Sequence, residues 1–434
     1  MKHIFLIFLT FFVGSFFSSC SKNKSDVLKY MMWGQPEEVK AVQGFLKQFH
    51  KKNPDTKVEL IHAPDSDYYV KLQVLIAGNE TPDIMYMDSN AYPGYIEKGA
   101  LFDMTDYIKN DPDSTSSPFN LKDYFSQAEK PFLYNGKYYG LSKDFTSFVL
   151  YYNKDLFDMA GVQYPTKNWT WQDFRKAAIA LTKDKNSDKI IDQFGFVFET
   201  WPGYWISWIR QNGGKIYDSS KGQYVIGAEP FLEKNVETLQ FLYNLMYEDH
   251  CVPTVQEAND MKGAQLFETG RVAMATYGRW RTLELKNVPF NWDIAELPHK
   301  KQKSSTLFTV AYSISKTSKQ KLKAWKLIKF LLGPQGQTAT AESCLAIPSL
   351  RSVAFSEHFL KPKALPRRIN VGAFFSSLKY SEPLPANSNV QLFNDTINRY
   401  LENIFLKKKN IRKTLIRLQE NLEKLEKAEK SRSI

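Results

Sequence analysis

The stretch Val27-Leu28-Lys29-Tyr30-Met31-Met32-Trp33-Gly34-Gln35-Pro36 sets the pattern that the rest of the chain repeats. Its apolar run up to Trp33 reads as a strand, and Pro36 then opens a helix, because its fixed φ suits a first helical position. Behind it Val39, Val42, Leu46 and Phe49 keep helical spacing. Asn53-Pro54-Asp55 is a turn, Val58 to Ile61 the next strand, and Tyr69, Leu72, Leu75 and Ile76 share one face of a second helix ending near Gly78. Ile84 to Met87 follows Thr81-Pro82-Asp83 as a third strand. Strands alternating with helices in this way predict an α/β fold, its sheet mostly parallel and covered by helices on both faces.

Further along, Tyr138 to Leu141, Phe148 to Tyr152, Phe194 to Phe198 and Val272 to Thr276 read as strands. The clearest helices are Trp171 to Leu181, Leu232 to Tyr247 and Leu322 to Leu332, the last closed by Gly333-Pro334. Asn110 to Ser117 is a polar connector, and no internal repeat is detectable. From Tyr400 the chain is lysine-rich and helical, with Ile411, Leu415, Leu418, Leu422 and Leu425 forming an apolar seam. That seam predicts a closing helix packed on a second lobe, rather than a coiled coil or a membrane-surface helix.

The N-terminus has the layout of a secretory signal: Lys2, an apolar stretch from Ile4 to Val13, then small residues up to Cys20. Phe17-Ser18-Ser19-Cys20 resembles a lipobox, with Phe where leucine is usual, which implies cleavage before Cys20 and lipidation of its sulfur. Residues 1–20 are therefore expected to be a lipoprotein signal peptide and 21–26 a tether. The apolar stretch is too short to cross a bilayer, and no later segment is long and apolar enough, so the mature chain is expected to be soluble. Cys251 and Cys344 alone remain, too few for a disulfide framework, so folding rests on packed cores. The chain of 434 residues has room for two domains. Behind its net charge of +12 the lysines are spread along the chain and mixed with Asp and Glu, which argues for a solvated surface and against nucleic acid as a partner. The 15% aromatic content suits an exported protein that must offer flat apolar faces to sugars.

Several segments together resemble family 1 of the extracellular solute-binding proteins, the group that holds the oligosaccharide receptors of ABC importers. They are Thr81-Pro82-Asp83-Ile84, Tyr95 to Leu101, Tyr139-Gly140-Leu141 with Leu150 to Phe157, Trp169 to Phe174, Gly270 to Met274, and Gly278-Arg279-Trp280, in the family's order. The resemblance implies a two-lobe periplasmic-binding-protein-like fold of type II, its discontinuous lobes joined by a hinge. The implied division is 27–143 with 309–347 for the first lobe and 144–308 with 348–434 for the second, crossing near Asp144, Phe308 and Pro348. Phe308-Thr309-Val310-Ala311-Tyr312 stands where relatives often carry glycines, so the cleft there is expected to differ in shape.

A pyranose has apolar C–H faces and a rim of hydroxyls, so a receptor needs aromatic plates and short polar side chains. Trp33 ends the first strand, where α/β sheets carry ligand contacts. In Glu199 to Trp208, aromatics follow a strand and open a helix, and Trp201, Tyr204 or Trp205 is expected to stack on sugar, with Trp208 in the core. The resemblance adds Gly278 and Trp280 as a ligand-holding triplet with Arg279, whose guanidinium could clamp a hydroxyl or a carboxylate and so leaves an acidic sugar open. Asp88 and Asn90 follow the third strand and Asp144 sits at the first crossing, all suited to hydroxyls, with Tyr68 and Tyr312 as further candidates.

Asp184, Asn186, Asp188, Ile190 and Asp192 fall at alternate positions like the start of a calcium loop, although Lys189 replaces the usual glycine and Gly195 the usual bidentate glutamate. A solvated loop is the simpler reading, and no cofactor is required; any calcium would be structural. No catalytic motif is present, and the histidines are scattered. The expectation is a monomeric, lipid-anchored receptor at the cell surface or in a periplasm. It would capture a sugar or oligosaccharide by cleft closure and deliver it to permease subunits, without enzymatic activity. Two rivals stay open: an exported carbohydrate-active enzyme, and the same fold with a non-sugar cargo.

Overall fold

The computed structural model describes residues 27–111, 115–116, 119–199, 201–260, 265–365, 368–387 and 389–432. The signal peptide, the tether and Cys20 lie outside the described residues, as does much of the 110–117 connector. Among the described residues no helix is long and apolar enough to cross a membrane.

Two sheets organise the chain. In the first, Val27–Met32 lies between Lys57–His62 and Ile84–Asp88, parallel to both. The helix Pro36–Lys52 links the first two of these strands. It starts on proline with Glu37 and Glu38 in its first turn and ends on His50, Lys51 and Lys52, charges that complement its dipole. Ser305–Ile314 continues the sheet antiparallel to Ile84–Asp88 and to Leu141–Ser147, and Ile347–Pro348 closes it. The sheet is thus mixed where a mostly parallel one is expected from the alternation. The reason is topological: Leu141–Ser147 leaves for the second sheet while Ser305–Ile314 comes back, so neighbouring crossings must run in opposite directions.

The second sheet has the order Phe194–Val197, Val272–Tyr277, Val149–Asn153, Trp292–Ala295. Phe194–Val197 is parallel to Val272–Tyr277, and Val149–Asn153 runs antiparallel to both its neighbours. Only Phe148 separates its strand from the first sheet's Leu141–Ser147, so one extended segment serves both lobes. The three crossings meet at one level, with Asp144 beside Val310 on one side and Pro348 on the other. Hydroxyls hold them together: Ser142 Oγ lies 3.1 Å from Thr309 Oγ1 and 2.6 Å from Ser349 Oγ.

After the third crossing the chain stays at the junction. Ser381–Pro383 adds to the first sheet, and the helix Gly372–Leu378 lies on strands of both sheets, so the stretch from 348 to 383 is not part of the second lobe as the division above has it. The second lobe takes the chain back with the helices Val390–Phe405 and Ile411–Arg432. Ile411, Leu415, Leu418 and Leu422 are buried in its core, as the seam predicts. Gly227 permits the close approach: a Cβ there would stand 2.1 Å from the Leu415 carbonyl oxygen. Trp171, Phe174, Phe196, Trp208 and Phe241 pack ring against ring in the same core.

Candidate functional site

Between the lobes lies a cleft of about 560 Å³. Its floor is the crossing itself, with Asp144, Phe145, Thr146, Phe308 and Val310. The first lobe contributes the ends of its parallel strands and the loops after them, where an α/β sheet leaves its strand ends open. The second contributes Glu199, the helix start at Trp201 to Tyr204, Trp280 with the short helix Arg281–Glu284, and the helix that starts at Val390.

Aromatic rings stand on both walls. Trp33 is half-buried, edge-on to Tyr68 at 4.7 Å and to Tyr86 at 5.2 Å between centroids. Across from it, Trp201 sits 5.4 Å from Tyr204, and Trp280 sits 5.4 Å from Phe148 and 5.8 Å from Phe308. Both second-lobe tryptophans lie over a glycine two residues away. A Cβ at Gly203 would stand 1.8 Å from the Trp201 ring, and one at Gly278 would stand 2.4 Å from the Trp280 ring. Each bare backbone leaves room for the six-membered ring of the indole beside it.

The polar groups are mostly acidic. Lys143 Nζ lies 3.0 Å from Glu38 Oε1, pairs with Asp144, and stands 4.8 Å from the Tyr86 ring centre. Burial opposes the Lys143 charge, but Asp144 and Glu38 outweigh it and hold its pKa well above the ordinary value. Asp144 is itself pushed up by burial, with Lys143 pulling against that and Glu38 adding to it. Asp88 accepts from the Tyr69 hydroxyl at 2.6 Å and from the amides of Asn90 and Ala91 at 3.1 and 2.8 Å, so it shapes the turn after its strand as well as lining the cleft. Burial raises its pKa against those three hydrogen bonds. Asn90 Oδ1 is buried with no hydrogen-bond partner. Desolvation by the surrounding cleft raises Asp65, which stays exposed at the surface, with Glu38 adding and His62 and Lys143 opposing, and burial raises Glu199 on the opposite wall, with Arg281 opposing.

Of the residues expected at the site, the structure brings Trp33, Asp88, Asn90, Asp144, Trp201, Tyr204 and Trp280 together on the cleft. The others sit elsewhere. Tyr68 is buried, its hydroxyl donating to the Tyr86 carbonyl at 2.9 Å. Trp205 is one step round the helix from Tyr204, which turns it into the second core. Gly278 does not hold ligand through a side chain; it makes room for Trp280. Arg279 is fully buried, its guanidinium 4.7 Å from the Phe359 ring centre and 5.7 Å from that of Phe374, so it offers the cleft no clamp. Tyr312 faces a small adjoining cavity that shares Glu38, Lys143 and Asp144 with the cleft, and packs on Tyr30 and Tyr86.

In the 184–192 loop the oxygens turn to backbone amides. Asp184 accepts from Ser187 and Lys189, Asn186 from Asp188, Asp188 from Ile190 and Asp192 from Lys185. Among the described residues no group of three His, Cys, Asp or Glu is placed to hold a metal ion.

Sequence reasoning missed Glu38, Asp65, Tyr69, Lys143, Glu199 and the Val390-Gln391-Asn394 edge. Lys143 was findable as the neighbour of Asp144 at the crossing. The helix at Val390 carried no signal, because it reaches the cleft only through tertiary docking.

The family described as bacterial extracellular solute-binding protein matches residues 33–338. The galactooligosaccharide-binding protein of Bacillus subtilis is 24% identical over 374 residues, covering 85% of this chain and 82% of its own. An ABC substrate-binding protein of Listeria monocytogenes, solved in complex with cycloalternan, superposes with a TM-score of 0.82 at 30% identity, over 92% of this chain and 98% of its own. A maltose/maltodextrin-binding domain of Bdellovibrio bacteriovorus, bound to maltotriose, shares the fold with a TM-score of 0.76 at 20% identity, over 92% and 100% of the two chains.

Proposed function

Because the chain belongs to the family of bacterial extracellular solute-binding proteins, we propose that it captures an oligosaccharide outside the cytoplasm and delivers it to the permease of an ABC importer. The observation that carries this reading is the presence of tryptophans on both walls of one cleft, Trp33 on the first lobe and Trp201 and Trp280 on the second. A sugar entering the open cleft stacks on one wall and its hydroxyls meet the carboxylates at the floor. Rotation about the crossings then brings the other aromatic wall down on it. The energy of closure comes from rings that only both lobes together can supply, so the closed form is populated by ligand and becomes the signal a permease reads. A cleft of this size falls within the range of about 300–1,000 Å³ common for small-molecule sites. Lipidation at Cys20 would keep the receptor at the membrane that holds its permease.

The sugar-named relatives support the cargo class, and binding without chemistry suits a family of receptors. The test is titration of the mature protein with a panel of oligosaccharides, following tryptophan fluorescence and heat, with chromatography of the ligand afterwards. A saturable signal with the ligand recovered intact supports the receptor. Cleavage products would point to an enzyme, and silence toward every carbohydrate alongside a response to a polyamine or peptide would end the sugar assignment.

A further inference from the structure

Among the described residues six carboxylates line the cleft: Glu38, Asp65, Asp88, Asp144, Glu199 and Glu284. Glu38 and Asp144 share Lys143, Glu284 pairs with Arg281, and Asp88 accepts three hydrogen bonds. Asp65 and Glu199 have neither a hydrogen bond nor an ion pair among the described residues, and they stand on opposite lobes. Asn90 Oδ1 adds a buried acceptor without a donor. On the cation side, Lys143 is held by its two carboxylates, Arg281 by Glu268 and Glu284, and Arg279 is sealed under Phe359 and Phe374. The rest of the polar lining, such as Gln35, Gln391 and Asn394, is neutral. A chain of net charge +12 thus encloses an acidic cleft.

Resting on the sugar-receptor reading, we infer that Asp65 and Glu199, with Asn90, make the cleft a charge filter that accepts glycans presenting hydroxyl or ammonium donors and rejects those carrying carboxylate or phosphate. A neutral sugar satisfies the free acceptors with hydroxyls, and an amino sugar does so with added Coulomb attraction. A uronate or a sugar phosphate brings an acceptor to acceptors and a negative charge to unpaired negative charges, with no free cation among the described lining residues to receive it. Closure strengthens the discrimination, since expelling water lowers the screening between the walls and the ligand.

The test uses the mature protein and three sets of probes of matched chain length: neutral gluco- and galacto-oligosaccharides, chitosan oligosaccharides bearing free amines, and oligogalacturonates. Calorimetry at low salt is expected to show binding in the neutral or amine set and oligogalacturonate binding weaker by about tenfold or more, the gap narrowing as salt rises. Asp65→Asn and Glu199→Gln, which keep shape and remove charge, are each expected to narrow the gap between uronate and neutral ligand by roughly tenfold. Thermal melts confirm that each variant is folded. Uronate binding as tight as neutral binding, or a gap that neither variant changes, overturns the charge filter and leaves the sugar receptor standing. If no glycan of any set binds, both readings fall together.

Discussion

Replacing Gly278 by alanine tests whether the second lobe's indole plate is held by backbone space rather than by side-chain contacts. The new Cβ would stand 2.4 Å from Trp280 Cζ3 and 2.6 Å from Cη2. Ordinary carbon contacts sit at roughly 3.5–4.0 Å, so the ring must retreat by about 1 Å or more. Phe148 and Phe308, edge-on at 5.4 and 5.8 Å, block retreat inward. The ring must therefore leave its rotamer or swing into the cleft. Overpacking of this kind costs about 1–3 kcal/mol of stability. The displaced ring no longer meets a sugar flat, and losing one plate should weaken binding by roughly tenfold to a hundredfold, at about 1.4 kcal/mol per tenfold. The assay is a double-mutant cycle by urea denaturation with Gly278→Ala, Trp280→Ala and the pair, followed by ligand titration of each. With Trp280 reduced to alanine the clash has no ring to act on, so adding the glycine substitution should cost less than about 0.5 kcal/mol. A cost at position 278 that is the same with and without the indole would refute the argument.

Three other outcomes follow from the same geometry. Lys143→Met strands Asp144 and Glu38 without their cation, and breaking a buried pair this way should cost roughly 3–5 kcal/mol at pH 7 by denaturant melts. The loss should shrink toward pH 5, because the Asp144 pKa is already raised and rises further without Lys143, so protonation relieves the stranded charge. Glu129, buried behind the crossing and accepting from the Ser142 amide, has its pKa pushed up to about 8 by burial, the hydrogen bond opposing. Since its folded pKa lies above its unfolded value, its contribution is full below the unfolded pKa and is lost as pH rises through about 8. Glu129→Gln should therefore flatten the stability profile across that window and leave the variant more stable than the parent at its alkaline end, as measured by melting temperature against pH. Gly227→Ala would press a Cβ to 2.1 Å from the Leu415 carbonyl oxygen and 2.8 Å from Gln419 Cβ, so the helix Ile411–Arg432 should lift off and lose hydrogen-exchange protection before the rest of the second lobe.

Local chemistry was enough to establish the style of the fold. Apolar runs of strand length, helical spacing behind Pro36, and turns at Asn53-Pro54-Asp55 and Gly333-Pro334 each act within a few residues, so strands, helices and the closing seam at Ile411 to Leu422 were legible from the chain alone. So were the cleft tryptophans, Trp33 directly after its strand and Trp201 and Trp280 a few residues after theirs, because the ends of strands in an α/β sheet are where ligand contacts tend to be carried. The direction of the crossings was not legible, since antiparallel pairing of Ser305–Ile314 with Leu141–Ser147 depends on a partner more than a hundred residues away in sequence. Nor was the sorting of neighbours such as Tyr204 from Trp205, or Trp280 from Arg279, where one residue of rotation or one covering pair of phenylalanines separates cleft from core. The acidic rim is the clearest case of what tertiary structure alone decides. Glu38, Asp65 and Glu199 are ordinary surface letters in a basic chain, and they come to line one cleft only because a helix start and two separate loops converge there, with two of the carboxylates left without an ion pair or hydrogen bond among the described residues.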